Sequence, residues 1–496
     1  MTVVSYDARL GQPSFNAQET ESSELDSILE KAARTAEILA RTAPAERRTW
    51  LYALADALEA AADEVVVIAD RETGAGEQRL RGELARTAQQ LRYFGDVVVE
   101  GSCFELTRDE TLPDVPPLVR INHPLGPVAV FGASNFPFFM GVLGNDTASA
   151  LASGCPVVTK VHSAHLELGL RLAEIAQETL RAAGAPDALL QAVVGRRSGI
   201  ELVKAPQVSA VGFTGSQAGG LALWRAANDR DRVIPVYAEM GTVNPVVVTP
   251  DGAQDMEEVA SRFVAGFTLG FGQYCTKPGL LFAPCGVGAA ELIGKALKEA
   301  DPEPVMLTQA IASDVAAGVA DMVAAGAELV TSVGSEITGW SAPAAVLTAP
   351  IEALTAGSRL LEETFGAVAV VVEYDDEEQL IVALRRLQPS LAASVLTGGP
   401  SDSAAGRMAS VLAERVGRVI FDGWAMGASV TWAQQHGGPW PSTSAPSTTS
   451  LGAYAIGRFV RPIAYQSGHD AWLPEPARSD NPWSLPARID GVWTPA

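Results

Sequence analysis

A chain of 496 residues is too long for one ordinary hydrophobic core, so two or three domains are expected, and 47% hydrophobic residues are enough to fill them. A formal charge of -22 argues against nucleic acid, whose phosphates demand a basic face, and no apolar run approaches the roughly 18 residues that a membrane crossing needs. The segment Met1 to Asp7 carries neither a basic nor an apolar leader, and the four cysteines show no CxxC or other metal-ligand spacing. The expectation is a cytoplasmic protein without disulfides, structural metal or membrane contact.

From Ser22 to Arg92 apolar residues recur at three- and four-residue steps, as in Leu25, Ile28, Leu29 and Ala32, then Trp50, Leu51, Leu54 and Leu58. This spacing predicts helices divided at Pro44 and at Gly74 to Gly76, the third running from about Glu77 to Phe94 with its Asp, Arg and Gln facing outward. Glu105 to His123, with three prolines between Leu112 and Leu118, reads as an extended arm or hairpin and equally as a surface loop.

From Pro127 short Val- and Ile-rich runs alternate with helical stretches: Val128 to Phe131, Pro156 to Val161, Leu190 to Val194, Val208 to Phe213 and Ile234 to Tyr237. Such alternation predicts a parallel, doubly wound sheet, with ligands at the carboxyl ends of its strands. A second alternating set runs from Pro245 to Phe421, joined to the first near Met240-Gly241. The fold class expected is α/β, with two doubly wound α/β domains and a cleft between them. Beyond Ala455, strand-like Phe459 to Tyr465 precedes a Pro- and Trp-rich tail that should pack on another part or another subunit.

Four places offer chemistry, and each also has an ordinary structural reading. Cys275 stands on a loop between an apolar helix, Val259 to Leu269, and a buried strand starting at Leu280; it is a candidate nucleophile or a small buried hydrophobe. Glu239 ends a buried strand, where desolvation would raise its pKa and make it a base, unless it is a salt-bridged strand end. Asn135, ahead of Pro137, could donate its amide to an oxyanion or simply shape a turn. Gly215 and Ser216 open a helix that could hold a phosphate or merely turn the chain. The histidines, His123, His162, His165, His436 and His469, form no recognisable catalytic or metal motif and are read as structural.

In chain order, Asn135-Phe136-Pro137, Lys160 after Val157-Val158-Thr159, Phe213-Thr214-Gly215-Ser216, Glu239-Met240-Gly241, Gly272-Gln273-Tyr274-Cys275 and Glu363-Thr364-Phe365-Gly366 resemble the aldehyde dehydrogenase superfamily. The resemblance covers nearly the whole chain. Asn145 to Pro156, Gln435 to Pro441 and Asn481-Pro482 look like the branch of NADP-dependent 2-oxoglutarate semialdehyde (2,5-dioxovalerate) and long-chain aldehyde dehydrogenases. It implies oxidation of a small aldehyde to the acid through a cysteine thioester. Cys275 would be the nucleophile, Asn135 and the Cys275 N–H the oxyanion donors, and Glu239 the base that activates water rather than a CoA thiol. Lys160, Glu363 and Phe365 would lie on the nicotinamide side, Gly215 and Ser216 at the pyrophosphate.

The resemblance further implies a coenzyme-binding domain of residues 1–104 and 124–239, a catalytic domain of residues 240–436, and an oligomerisation element of residues 105–123 and 455–496 in a homodimer or homotetramer. NAD-preferring relatives often carry a glutamate where this chain has Ser163. With Lys160 and Arg196 or Arg197 nearby, NADP should therefore serve at least as well as NAD. Two departures stand out: Thr242, expected to leave the chemistry intact, and Lys277, which could alter substrate preference. Phe136, Phe138, Phe139 and Trp432 could line an aliphatic tunnel, and no arginine pair for a substrate carboxylate is evident. The alternatives are a cofactor-independent cysteine hydrolase or acyltransferase, and a retired family member with a structural role.

Overall fold

The computed structural model describes residues 1–111, 113–303, 305–334 and 337–495. Leu112, inside the expected arm, and the tail residue Ala496 thus lie outside the described residues. The chain opens with a hairpin that the sequence pattern did not announce: β1 (Thr2–Asp7) pairs antiparallel with β2 (Gln12–Gln18). Four helices follow, α1 (Ser22–Leu39), α2 (Pro44–Ala60), α3 (Ala62–Thr73) and α4 (Glu77–Glu100). Pro44 occupies the first turn of α2, where its missing N–H leaves no bond unmade. The second expected helix is two, broken at Ala61, and Gly74 closes α3 with φ 66°. The third continues past Phe94 because Val97 and Val98 extend its buried stripe. Among the described residues no helix is long and apolar enough to cross a membrane.

After an antiparallel pair, β3 (Leu106–Asp109) and β4 (Leu118–Pro124), the first parallel sheet begins. Its elements are β5 (Val128–Phe131), α5 (Asn145–Ser153), β6 (Val157–Lys160), α6 (Leu166–Ala182), β7 (Leu190–Val193), α7 (Arg196–Lys204), β8 (Ala210–Gly215), α8 (Gln217–Asn228) and β9 (Val236–Met240). The strand order is β7-β6-β5-β8-β9. The chain winds one way from β5 to β7 and returns to the other side of β5 with β8, which opens a crevice at the carboxyl ends. Asn135, Lys160, Ser216 and Glu239 all follow or end strands at that edge.

The second sheet is built from β10 (Pro245–Val248), α9 (Met256–Thr268), β11 (Leu280–Pro284), α10 (Ala289–Ala300), α11 (Gln309–Ala324), β12 (Glu328–Val333), β13 (Ala344–Thr348), β14 (Val368–Tyr374), α12 (Glu377–Arg386), β15 (Ser390–Leu396), α13 (Ser403–Ala413) and β16 (Val416–Phe421). In the order β12-β13-β14-β11-β10-β15-β16 the edge strand β12 runs antiparallel to β13. Strand alternation divides the core: Val368, Val370 and Val372 face one apolar cluster, while Ala369 and Val371 face the other. Buried on both faces, these strands read as continuous apolar runs.

A third sheet, β17-β4-β3-β18-β19, unites the arm with β17 (Val460–Gln466), β18 (Ala487–Ile489) and β19 (Val492–Thr494). The stretch after β16 crosses back to the first sheet. Met240 N–H donates to the Ser442 carbonyl at 2.9 Å, and Ser444 N–H donates to the Ala238 carbonyl at 3.0 Å, along the free edge of β9. This return brings residues 436–451 against the end of β9.

Candidate active site

The loop that carries Cys275 is held from both sides. Past α9 the chain turns through Gly270, Phe271 and Gly272, at φ 56°, 60° and 72°. At Gly272 a side chain would collide with the backbone of Gly366 and Ala367, so the nucleophile loop and the Glu363-Thr364-Phe365-Gly366 segment pack backbone to backbone. Asn244, itself at φ 50°, donates its amide to the carbonyls of Thr242, Cys275 and Lys277, at 2.9, 2.8 and 3.2 Å. Thr242 is fully buried and its hydroxyl accepts from Leu391 N–H, so this departure from the usual motif is a structural anchor.

Cys275 meets two buried groups. Its Sγ lies 3.7 Å from His436 Nε2, and that nitrogen lies 2.9 Å from Glu239 Oε1. Ser450 donates its hydroxyl to the other Glu239 oxygen, and Arg458 lies close enough to act on the carboxylate. The reading of His436 as merely structural is corrected: it is 4% exposed and bridges thiol and carboxylate. The expected rise in the Glu239 pKa is also corrected. Burial does push it up, but His436, Ser450 and Arg458 together outweigh burial and hold the carboxyl below its ordinary value. The Cys275 thiol is pushed well above its ordinary pKa by burial, then by the negative charges of Glu239 and Glu363, with Arg418 opposing. It rests as a thiol, so attack requires a base.

Asn135 reaches the same pocket, its amide donating to the Gln273 carbonyl at 2.7 Å. Phe136, Phe139, Met140, Tyr274, Ala428 and Leu451 supply apolar walls. Phe138 and Trp432 do not: Phe138 is fully buried in the helical core, and Trp432 stands 40% exposed, edge-on to Tyr454. Two arginines of α4, Arg79 and Arg86, turn into this region instead of the outer face expected for them, while Arg81 and Arg92 stay on that face. Arg86 lines the pocket, stacked 4.6 Å over the Phe139 ring and donating to the Ala428 carbonyl at 2.8 Å. Arg79 donates to the Asn135 carbonyl at 2.6 Å and stacks on Phe136 and Tyr274. Glu83 is buried between them, its Oε1 accepting from the Phe138 and Phe139 N–H groups. Two guanidiniums and one carboxylate leave this face of the pocket cationic.

The remaining sequence candidates gather on the crevice edge. Lys160 ends β6, where burial pulls its pKa down, and its strand partner is Val193 of β7. Ser163 and Arg196, both exposed, follow the adjacent strands β6 and β7. Arg197 lies within salt-bridge distance of Glu19, Glu21 and Glu201, whereas Arg196 forms no salt bridge among the described residues. Ser216 caps α8, its hydroxyl accepting from Gly219 N–H at 3.2 Å, directly after Gly215. Glu363 lies against Gly241, where any side chain would collide with its carboxylate, and its buried Oε1 lacks a hydrogen-bond partner. Phe365 is half-buried in the same segment.

These residues fit a dinucleotide: a helix N-terminus for pyrophosphate and an orphaned acceptor for a ribose hydroxyl. Lys277, which the sequence suggested could alter substrate preference, does not line the pocket. It is 2% exposed, and its ammonium donates to the carbonyls of Thr364 and Val368 at 3.1 and 2.7 Å, on either side of the Phe365-Gly366 turn.

A model described as the aldehyde dehydrogenase family matches residues 2–444. The chain is 38% identical over 458 residues to alpha-ketoglutaric semialdehyde dehydrogenase 2 of Azospirillum brasilense, covering 90% of this chain and 87% of that one. It is 34% identical over 464 residues to alpha-ketoglutaric semialdehyde dehydrogenase of Acinetobacter baylyi, covering 91% and 88%. Among solved structures, an aldehyde dehydrogenase from Bacillus cereus superposes with a TM-score of 0.81 at 21% identity, covering 94% of each chain. A succinic semialdehyde dehydrogenase from Streptococcus pyogenes, in complex with NADP+, gives 0.79 at 19% identity, covering 95% of this chain and 100% of that one; both likenesses concern the fold.

Proposed function

The chain belongs to the aldehyde dehydrogenase family, and from that premise we propose that Cys275, His436 and Glu239 work as one relay in oxidising a carboxylated aldehyde to the acid. The observation that carries this is the placement of His436 Nε2 between Cys275 Sγ and Glu239 Oε1, at 3.7 and 2.9 Å. Because the thiol rests protonated, its proton must leave as the carbon–sulfur bond forms. Nε2 is in position to take it, and the Glu239 carboxylate offsets the imidazolium charge that results. The Asn135 amide and the Cys275 N–H supply donors for the oxyanion, where loss of one donor typically costs about 10²- to 10³-fold in rate.

The chemistry that NAD(P) supplies when bound is acceptance of the hydride that the collapsing oxyanion releases. Lys160, Ser216 and Glu363 would hold that coenzyme. What remains on Sγ is a thioester. Once the imidazolium has released the thiol's proton to solvent, the same histidine and carboxylate deprotonate a water, whose attack frees the acid and expels the Cys275 thiolate, which takes up the water's proton. A hydrolase or acyltransferase without coenzyme would leave the buried Glu363 oxygen, unpartnered among the described residues, without a purpose.

For the substrate we favour a semialdehyde of the 2-oxoglutarate type, on the apolar walls with Arg86 beside them and the relatives named for that activity. NADP is the coenzyme we favour, because Ser163 adds no negative charge and Arg196, at the adjacent strand end, forms no salt bridge among the described residues. We also assign the enzyme to the cytoplasm as a homodimer or homotetramer assembled through the third sheet, which light scattering after gel filtration would check.

The overall test is kinetic. Short, long-chain and carboxylated aldehydes are offered with NADP and with NAD, and acid and reduced coenzyme are measured together. Equal amounts are expected, highest kcat/KM falling to the carboxylated aldehyde with NADP. In Cys275→Ala, oxidation should vanish with coenzyme affinity unchanged; more than trace activity would remove the thiol from the mechanism.

A further inference from the structure

The three groups at the bottom of the pocket have a second capability. A carboxylate oxygen of Glu239, Sγ of Cys275 and Nε2 of His436 all lie within 4.8 Å of one another, yet they come from three separate segments of the chain. Sulfur, imidazole and carboxylate are the donor types that zinc takes, and three protein ligands with one open position are the pattern of its exchangeable sites. Bond lengths of about 2.0–2.3 Å at tetrahedral angles place ligand atoms about 3.3–3.6 Å apart. The thiol–imidazole separation is 3.7 Å, the imidazole–carboxylate separation 2.9 Å, and the thiol–carboxylate separation no more than 4.8 Å, so the three donors bracket that spacing.

We propose that this trio binds a single zinc ion reversibly through Cys275 Sγ, His436 Nε2 and a Glu239 oxygen, and that the bound metal inhibits the enzyme by capping its nucleophile. The charge balance favours it. One thiolate and one carboxylate neutralise the dication, and the only bond broken is S–H, its proton passing to solvent. The acidic groups facing Sγ are Glu239 and Glu363, of which Glu239 is the one held ionised; Arg418 faces Sγ from β16, and Arg458 faces Glu239. The Glu239 carboxylate that disfavours a bare thiolate thus favours a cation beside it.

The surroundings make the site exchangeable rather than permanent. Ser450 fixes the far oxygen of Glu239, leaving Oε1 without an aligned hydrogen bond. His436 Nδ1 is buried with no acceptor among the described residues, so the outer partner that strengthens most zinc histidines is not seen there. The fourth position opens into the substrate pocket, where the aldehyde would compete.

The test uses the full-length enzyme freed of metal with a chelator and titrated with Co2+ as a spectroscopic stand-in. One equivalent should give the visible bands of tetrahedral cobalt with a sulfur charge-transfer band. Zinc should displace them, and inhibition should be competitive with aldehyde and reversed by chelator. Cys275→Ser should lose the charge-transfer band. His436→Ala should weaken zinc binding by about tenfold or more in calorimetry, with circular dichroism unchanged. Cys285→Ser, at the exposed thiol, should bind as the parent does. An octahedral or sulfur-free cobalt spectrum would overturn the proposal, as would parent-like zinc affinity in His436→Ala or lost binding in Cys285→Ser. The metal readouts do not depend on turnover, so a failed oxidation reading and a failed zinc reading are distinguishable.

Discussion

His436 Nε2 lies 2.9 Å from Glu239 Oε1, although 197 positions separate the two residues along the chain (436 less 239) and each is under 5% exposed. The contact joins the last strand of one sheet to the return segment that follows the other. It makes the base a pair rather than a single carboxylate.

If the pair serves both chemical steps, His436→Ala and Glu239→Gln should each slow the first burst of reduced coenzyme as well as steady turnover. A loss of about 10²- to 10⁴-fold is expected, the usual contribution of a positioned base. Stopped-flow mixing with excess aldehyde separates the phases. A burst at the parent rate in Glu239→Gln would confine the carboxylate to thioester hydrolysis.

Coenzyme choice is readable at Ser163. Placing a carboxylate there should set it against a 2′-phosphate, a repulsion of about 1 kcal/mol in water and about 4 at an effective dielectric near 20 for charges about 4 Å apart. Ser163→Glu should therefore lower the NADP/NAD ratio of kcat/KM by about tenfold or more. An unchanged ratio would show that this segment does not read the phosphate.

Arg86 gives a substrate prediction. Arg86→Leu keeps an apolar wall beside Phe139 but removes the cation, so KM for a carboxylated aldehyde should rise about 10- to 100-fold, as for one charged hydrogen bond. An unsubstituted aldehyde of similar length should be little affected. A parallel loss for both substrates would mean that the arginine only holds the Ala428 loop.

Lys277 should act through Glu363. Burial pushes the Glu363 carboxyl up to about 8, with Lys277 and Arg359 pulling it back, so the acceptor form gains as pH rises through that value. Lys277→Met removes part of the restraint and should raise the carboxyl further. Coenzyme affinity, followed by fluorescence quenching, should then weaken about tenfold near neutrality and recover only at higher pH than in the parent. The aldehyde KM should stay put, and an unshifted pH profile would reduce the lysine to a strut.

The parallel strands of both sheets were legible because burial on two faces leaves unmistakable Val-rich runs such as Val368 to Val372, whereas the antiparallel edge strand β12, mostly exposed, was missed. Helix α11 was not legible, since its alanines carry little periodic contrast, and the polar strands β1 and β2 were silent for the same reason. Cys275, Asn135 and Glu239 could be named as candidates from their local settings. His436 could not: its thiol partner is 161 positions away, and a lone histidine among glycines and prolines announces no role. Arg79 and Arg86 hid differently. Charged residues on a helix are usually solvated, and only packing showed that this face of α4 borders a pocket.

The third sheet sets a timetable for the chain as it is made. Strand β3 needs β18 beside it, and Glu110 N–H donates to the Asp490 carboxylate across 380 positions. Until the distal segment emerges from the ribosome, both edges of the β3–β4 pair stand open, an invitation to pair with a neighbouring chain. The loop that must close is among the longest the molecule contains, and such closures come late. Newly made copies therefore pass through an interval in which the two parallel sheets can already be wound while the sheet that joins the arm to the tail is unfinished.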